Sequence, residues 1–277
     1  MLANQINDYQ GTDILYRDKH NLILSPHDAL RPYIANYTFS NPIKMPSGQT
    51  ILPSASTTLV YSIKNNRINS GLRGVSTKST RIDRYATQFD ALFLIEFHAG
   101  GLFPFTSIPQ HILKDENYAF DSLNTVLDRK IIEAYTSALS ITALKKEMDT
   151  LFLRQIGSYT DNQYVRYSLT KIIEQKGGVR VSDLAKDTCY SDKQLNRLFQ
   201  QYIGTGVKTF SRIVRMKHAI ELLPAANNLS SLIEQTDHYD SAHFVHDFRK
   251  LYGITPSQYL ANMSLFYNDR FKLDSYT

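Results

Sequence analysis

The C-terminal half of this 277-residue chain repeats itself at an offset of 49 residues, and that repeat limits the fold more than any other feature. Ser191-Asp192-Lys193-Gln194-Leu195-Asn196-Arg197-Leu198-Phe199 aligns with Asp240-Ser241-Ala242-His243-Phe244-Val245-His246-Asp247-Phe248. The same offset pairs Gly204 with Gly253 and Phe210 with Tyr259. Each copy has a capping residue, an apolar residue four on, an aromatic four further and a glycine five beyond that. Such spacing describes a helix with one buried edge, closed by a glycine in the left-handed conformation. A shorter helix precedes each copy. In the first it runs from Val181 to Thr188, with Ser182 as cap and Leu184 and Ala185 inward. In the second it runs from Ser230 to Thr236, with Leu232 and Ile233 inside. Short helix, tight turn, longer helix is the helix-turn-helix layout, whose second helix enters the DNA major groove.

The outward faces carry suitable chemistry. On the first long helix Leu195, Leu198, Phe199 and Tyr202 fall at i, i+3, i+4 and i+7, leaving Lys193, Asn196, Arg197 and Gln200 opposite. Arg matches the guanine edge, and Asn or Gln the adenine edge. On the second, Phe244, Phe248 and Leu251 point inward, while Ser241, Ala242, His246, Arg249 and Lys250 face out. Net charge is +5 overall. Residues 162–258 hold thirteen Lys and Arg against nine Asp and Glu, so most of the excess lies where DNA is expected.

The segment from about Val165 to Met263 resembles the DNA-binding domain of the AraC/XylS family of bacterial transcription regulators. The first half-motif stands here as Leu184-Ala185, then Leu195, Arg197 and Phe199, then Gly204. The second stands as Asp240-Ser241-Ala242-His243-Phe244, Phe248-Arg249-Lys250, Gly253-Ile254-Thr255-Pro256 and Tyr259. The resemblance implies two helix-turn-helix units with Lys193, Asn196, Arg197, Ala242 and His246 at the base-facing positions. Three departures matter. The glycine usual in each inter-helix turn is replaced by Cys189 and Asp237, which must then adopt a backbone geometry glycine favours, at a cost of roughly 1 kcal/mol. His246 stands where the family usually carries arginine, which weakens the second half-site. Pro224 is expected to end the linking helix a residue or two early. Upstream, Pro26 to Ile34, Ile51-Leu52-Pro53 and Leu94 to Ile108 resemble the β-rich sensor domain often joined to such regulators.

The N-terminal half has its own texture. From Ile51 to Ile108 it reads as short strands and turns: Ser56 to Ile63, then Asn65-Asn66 as a turn, then the apolar run Ala91 to Phe97 as a buried strand before Gly100-Gly101. After Asp121 the period becomes helical, with one stripe of Leu123, Leu127, Ile131 and Tyr135. A second stripe, Ile141, Leu144, Met148, Leu151 and Phe152, follows Ser140 as N-cap. That second stripe reads either as packing against the β domain or as a dimer seam. The polar stretch from Gly157 to Asp161 marks a boundary. The expected fold class is α+β in two domains. Residues 1–157 form a β-rich, cupin-like sandwich or barrel that ends in two helices and serves regulation or dimerisation. Residues 158–277 form an all-α domain with two helix-turn-helix units.

Composition narrows the function. A single cysteine, Cys189, excludes an internal disulfide framework or a multi-cysteine zinc site and suits the cytoplasm. No stretch approaches the ~18 apolar residues of a membrane span. His238, His243 and His246 have no carboxylate or cysteine at ligand spacing. His20, His27, His98 and His111 lack the paired histidines of a metal-bearing cupin, although Glu96 and His98 share a strand face. No Ser-His-Asp spacing, phosphate loop or paired-carboxylate motif stands out. The expectation is a binding protein with no catalytic residue, cofactor or metal. Its partners would be double-stranded DNA, a small-molecule effector, RNA polymerase and a second copy of the chain, with no membrane. Two readings compete: a ligand-binding or enzymatic cupin-like protein whose helices are structural, and a DNA binder without sequence choice.

Overall fold

The computed structural model describes residues 2–42, 50–81, 88–157, 159–223 and 241–262. Its strands are β1 (Ile14–Arg17), β2 (Asn21–Leu24), β3 (Ile34–Ser40), β4 (Thr50–Ile51), β5 (Thr58–Lys64), β6 (Arg67–Arg73), β7 (Thr80–Arg81), β8 (Ala91–Phe97) and β9 (Asn117–Ala119). Seven form an antiparallel sheet in the order β1-β2-β3-β8-β5-β6-β9, and β4 pairs with β7. Turn chemistry sets the register of the central hairpin. Asn65 and Asn66 take φ of 51° and 61°, the left-handed pair of a tight hairpin, so β5 meets β6 from Lys64 opposite Arg67 outward. The apolar run β8 lies between β3 and β5, where a strand paired on both edges belongs.

One face of this sheet carries the first core. Phe93 and Ile95 of β8 stand opposite Phe39 and Tyr37 of β3 and Tyr61 and Leu59 of β5. Phe39 and Phe93 stack with ring centroids 5.0 Å apart. A short helix, α1 (Phe103–Thr106), precedes α2 (Phe120–Ser137) and α3 (Ile141–Ile156), which close over that face. Ser140 caps α3, accepting from the Ala143 N–H at 3.1 Å. Ile141, Leu144, Met148 and Phe152 are all buried in the N-terminal core, Leu144 completely. Packing against the sheet is therefore the use of this stripe, and a dimer seam through Leu144 is corrected. The single stripe expected on α2 is also interrupted. Asn124 leaves helical geometry (φ −152°, ψ 77°) and its side chain accepts from the Leu127 N–H at 3.0 Å. The helix restarts there, so Leu123 lies before the break and Leu127 and Ile131 after it.

The opposite face of the sheet is covered over β3 and more open beyond it, where Val60, Leu92, Leu94 and Glu96 are half-buried. Every residue of β3 is buried, Asn36, Thr38 and Ser40 on one side and Tyr37 and Phe39 on the other.

The remaining elements are helical: α4 (Gln163–Glu174), α5 (Val181–Asp187), α6 (Asp192–Ile203), α7 (Val207–Leu222), α8 (Ser241–Tyr252) and α9 (Pro256–Asn262). Leu184, Leu195, Phe199, Phe210, Phe244 and Phe248 gather in a second core, which also takes in Leu52, Ala55, Val75 and Ala99 from the β-rich half. Asp161, between α3 and α4, accepts from the Tyr33 hydroxyl at 3.0 Å and pairs with Arg166, whose guanidinium lies 5.5 Å above the Tyr33 ring. Among the described residues no helix is long and apolar enough to cross a membrane.

Candidate nucleic-acid interface

The first unit is built from α5, a turn and α6. Helix α5 starts at Val181 with Arg180 as its N-cap residue, so Ser182 sits inside the first turn and not at the cap where the sequence reading put it. Leu184 and Ala185 are buried as expected. The turn rests on backbone strain: Cys189 takes φ of 57°, the left-handed geometry its position demands. Several bonds hold it there, the Cys189 N–H on the Lys186 carbonyl at 3.1 Å among them. The Thr188 hydroxyl donates to the Leu184 carbonyl at 2.7 Å, and the Tyr190 N–H to the Ala185 carbonyl at 3.0 Å.

Helix α6 opens on a reciprocal cap. Ser191 Oγ accepts from the Gln194 N–H at 3.3 Å, and Gln194 Oε1 accepts from the Ser191 N–H at 3.0 Å. It closes at Gly204, φ 90°, whose N–H reaches the Phe199 and Gln200 carbonyls at 3.1 Å each. Leu195, Phe199 and Ile203 are buried, while Leu198 and Tyr202 are half-buried. Lys193, Arg197 and Gln200 are exposed on the other side. Asn196 stands apart from them. It is half-buried, and its Oδ1 accepts from the Val207 N–H at 3.2 Å. The side chain thus caps α7, whose own N-cap residue is Gly206 and offers no side chain.

The second unit repeats the pattern where it is described. Phe244, Phe248 and Leu251 of α8 are buried, and Ser241, Ala242, His246, Arg249 and Lys250 are exposed. Gly253, φ 72°, closes α8 with its N–H on the Arg249 carbonyl at 2.8 Å. Phe210 and Tyr259, the other pair related by the repeat, are both buried. The short helix expected from Ser230 to Thr236 lies outside the described residues, as do Pro224, Asp237 and His238. Side-chain placement of His243 also lies outside them. Between the units runs α7, sixteen residues and so about 24 Å long.

Of a second group of polar residues the sequence marked only Glu96, as sharing a strand face with His98. On the sheet face opposite the first core, Asn36 Nδ2 donates to Glu96 Oε2 at 3.1 Å and the Thr38 hydroxyl donates to Asn36 Oδ1 at 2.9 Å. Thr58, opposite Glu96 in register, is buried, and its hydroxyl has no hydrogen-bond partner among the described residues. Alternation of polar residues at 36, 38 and 40 was the available signal, because a strand polar on one side and still buried encloses something other than an apolar core. Among the described residues no three His, Cys, Asp or Glu side chains gather as a metal site.

Residues 184–262 match a family model described as a helix-turn-helix domain, and residues 23–119 match one described as a domain of unknown function (DUF6597). An uncharacterized HTH-type transcriptional regulator of Haemophilus influenzae is 25% identical over 140 residues, 50% of this chain and 47% of that protein. The chain thus spans about half the length of the curated relative it matches. Two solved structures of ToxT from Vibrio cholerae, an apo variant and the wild type with an unsaturated fatty acid bound, are each 12% identical. They cover 89% and 88% of this chain and 99% and 95% of their own, with TM-scores of 0.43 and 0.40, a likeness too distant to decide anything. The matched segment and the described helices agree: the chain carries a helix-turn-helix domain over residues 184–262, beside a β-rich N-terminal domain.

Proposed function

We propose that this protein is a sequence-specific, cytoplasmic DNA-binding transcription regulator that acts by binding, without chemistry of its own. One observation carries the reading. Two helices related by the 49-residue repeat bury matching apolar edges and leave long polar side chains exposed on α6 and α8. Lys193, Arg197 and Gln200 supply the first half-site, with Ser241, Ala242, His246 and Lys250 supplying the second. Phosphate contacts give affinity, and Arg197 gives most of the base choice. The sheet face on which Asn36, Thr38 and Thr58 are buried and Glu96 is half-buried, beside Leu94 and Val60, is where we place a small-molecule effector. Oppositely charged Lys130, Glu133, Glu147 and Arg154 line a groove between α2 and α3 that suits a second copy of the chain. RNA polymerase is the further partner such a regulator needs.

A gel-shift titration against random and selected competitor DNA tests this reading. Retention of one selected sequence under excess random competitor is the expected result. Equal competition by all DNA would favour a binder without sequence choice. No shift at all would favour the ligand-binding or enzymatic alternative.

A further inference from the structure

Both long helices of the repeat end on the N-terminal domain, and they end on one short piece of it. A methyl group placed on Gly204 would stand 2.7 Å from Val75 Cγ2 and 2.9 Å from the Gln110 carbonyl oxygen. One placed on Gly253 would stand 3.3 Å from Ser79 Oγ. The two glycines that the repeat pairs therefore rest at the two ends of a single segment, Val75–Ser79. Val75 is completely buried there and belongs to the second core. A third close approach backs the first. A methyl on Gly100 would meet Ile203 Cδ1 at 2.8 Å and the Tyr202 carbonyl oxygen at 3.0 Å, so the last turn of α6 has no slack against the β-rich half.

The segment itself is held on both sides. Asp115 accepts from the Thr77 N–H and from the Thr77 hydroxyl, each at 2.6 Å, and its own N–H donates to the Val75 carbonyl at 2.8 Å. On the other side the Ala55 N–H donates to the Ser76 carbonyl at 3.0 Å. Asp115 makes its three bonds from φ of 59°, a geometry that Asp and Asn tolerate better than most residues. The segment also follows directly on β6, whose Arg73 pairs in register with Thr58 on the polar sheet face. A rigid strap thus joins that face to the ends of both helices.

We propose that Val75–Ser79 is a positioning strap that fixes α6 and α8 relative to each other. The N-terminal domain thereby sets which separation of two DNA half-sites the protein accepts. The linking helix α7 gives one tie between the units, and the strap gives a second. Two ties define a distance that one leaves free to vary. The DNA part of this inference rests on the function proposed above, whereas the positioning part does not.

Pulsed electron resonance on the full chain reads the positioning directly. Cys189→Gly removes the single native thiol, and Gln201→Cys with Arg249→Cys places one spin label on each helix, outside the proposed base-facing residues. We expect one narrow distance distribution. Asp115→Gly keeps the positive φ but removes the carboxylate, and Ser79→Phe pushes at Gly253; each should broaden or shift the distribution. Asp115→Asn, which keeps an acceptor for Thr77, should restore it. On DNA, unlabelled wild type should bind about tenfold more weakly when one base pair is inserted between the selected half-sites, and Asp115→Gly should lose most of that discrimination. Folded Asp115→Gly and Ser79→Phe chains with unchanged distances would overturn the strap. If distances respond but the wild type selects no DNA sequence, the strap stands and the function proposed above falls.

Discussion

Arg197 and Asn196 are neighbours on α6, yet the structure separates their work. Arg197 is exposed, whereas Asn196 directs its Oδ1 at the Val207 N–H and caps α7 from eleven residues away. Helical periodicity placed Lys193, Arg197 and Gln200 on the outward face, because burial of Leu195 and Phe199 leaves those positions nowhere else to go. It could not separate Asn196 from them, since a bond to the next helix is a tertiary fact with no local signal. We expect Asn196→Ala to cost about 1 kcal/mol of folding stability, the usual loss for an N-cap, and to leave the selected DNA sequence unchanged. Urea denaturation and a binding-site selection on the same variant check both halves of that statement. The polar sheet face was legible in part: the alternation Asn36, Thr38, Ser40 is present in the sequence, but its burial depends on covering structure brought from elsewhere in the chain.

Cys189 and His218 carry the expectations that belong to whole elements. The left-handed residue in the first inter-helix turn was legible because the helix-turn-helix pattern requires it there, and Cys189 adopts φ of 57°. Cys189→Gly should relieve that strain and raise stability by up to about 1 kcal/mol, whereas Cys189→Val should lower it by at least that much. Urea midpoints of the three chains decide the order. In α7, burial first and the Lys176 charge second hold the His218 imidazole below its ordinary range. Glu221, with Oε2 3.9 Å from Nδ1, pulls the other way but from too far to reverse the shift. As pH falls through about 6.5 the unfolded chain takes up this proton before the folded one does, so stability is full above that pH and declines below it. We expect His218→Gln to flatten the melting temperature between pH 7 and about pH 5 relative to wild type. Helix boundaries were the least legible feature. Asn124 breaks α2 because its side chain competes for the backbone as a cap, and Ser182 fails as a cap because α5 begins one residue earlier.

At the scale of the whole molecule, the switch from β to helical period after Asp121 was plain in the sequence, but the sharing of a core across the two halves was not. Leu52, Ala55, Val75 and Ala99 come from loops and strand ends, where no periodicity marks a buried face, yet they complete the core around Phe199 and Phe210. A fragment of residues 158–277 would expose the surface those four residues cover. We expect its helices to melt at a lower temperature than the same helices in the full chain, as circular dichroism at 222 nm would show. If the two repeat-related helices read DNA sequence as proposed, selection of bound DNA from random oligonucleotides by the full chain and by Arg197→Ala will show it. We expect a single enriched site with two half-sites from the wild type, and loss of base preference in one of them, worth about 1–3 kcal/mol, from the variant. An identical preference at every base position in both chains, with the variant still folded, would contradict it.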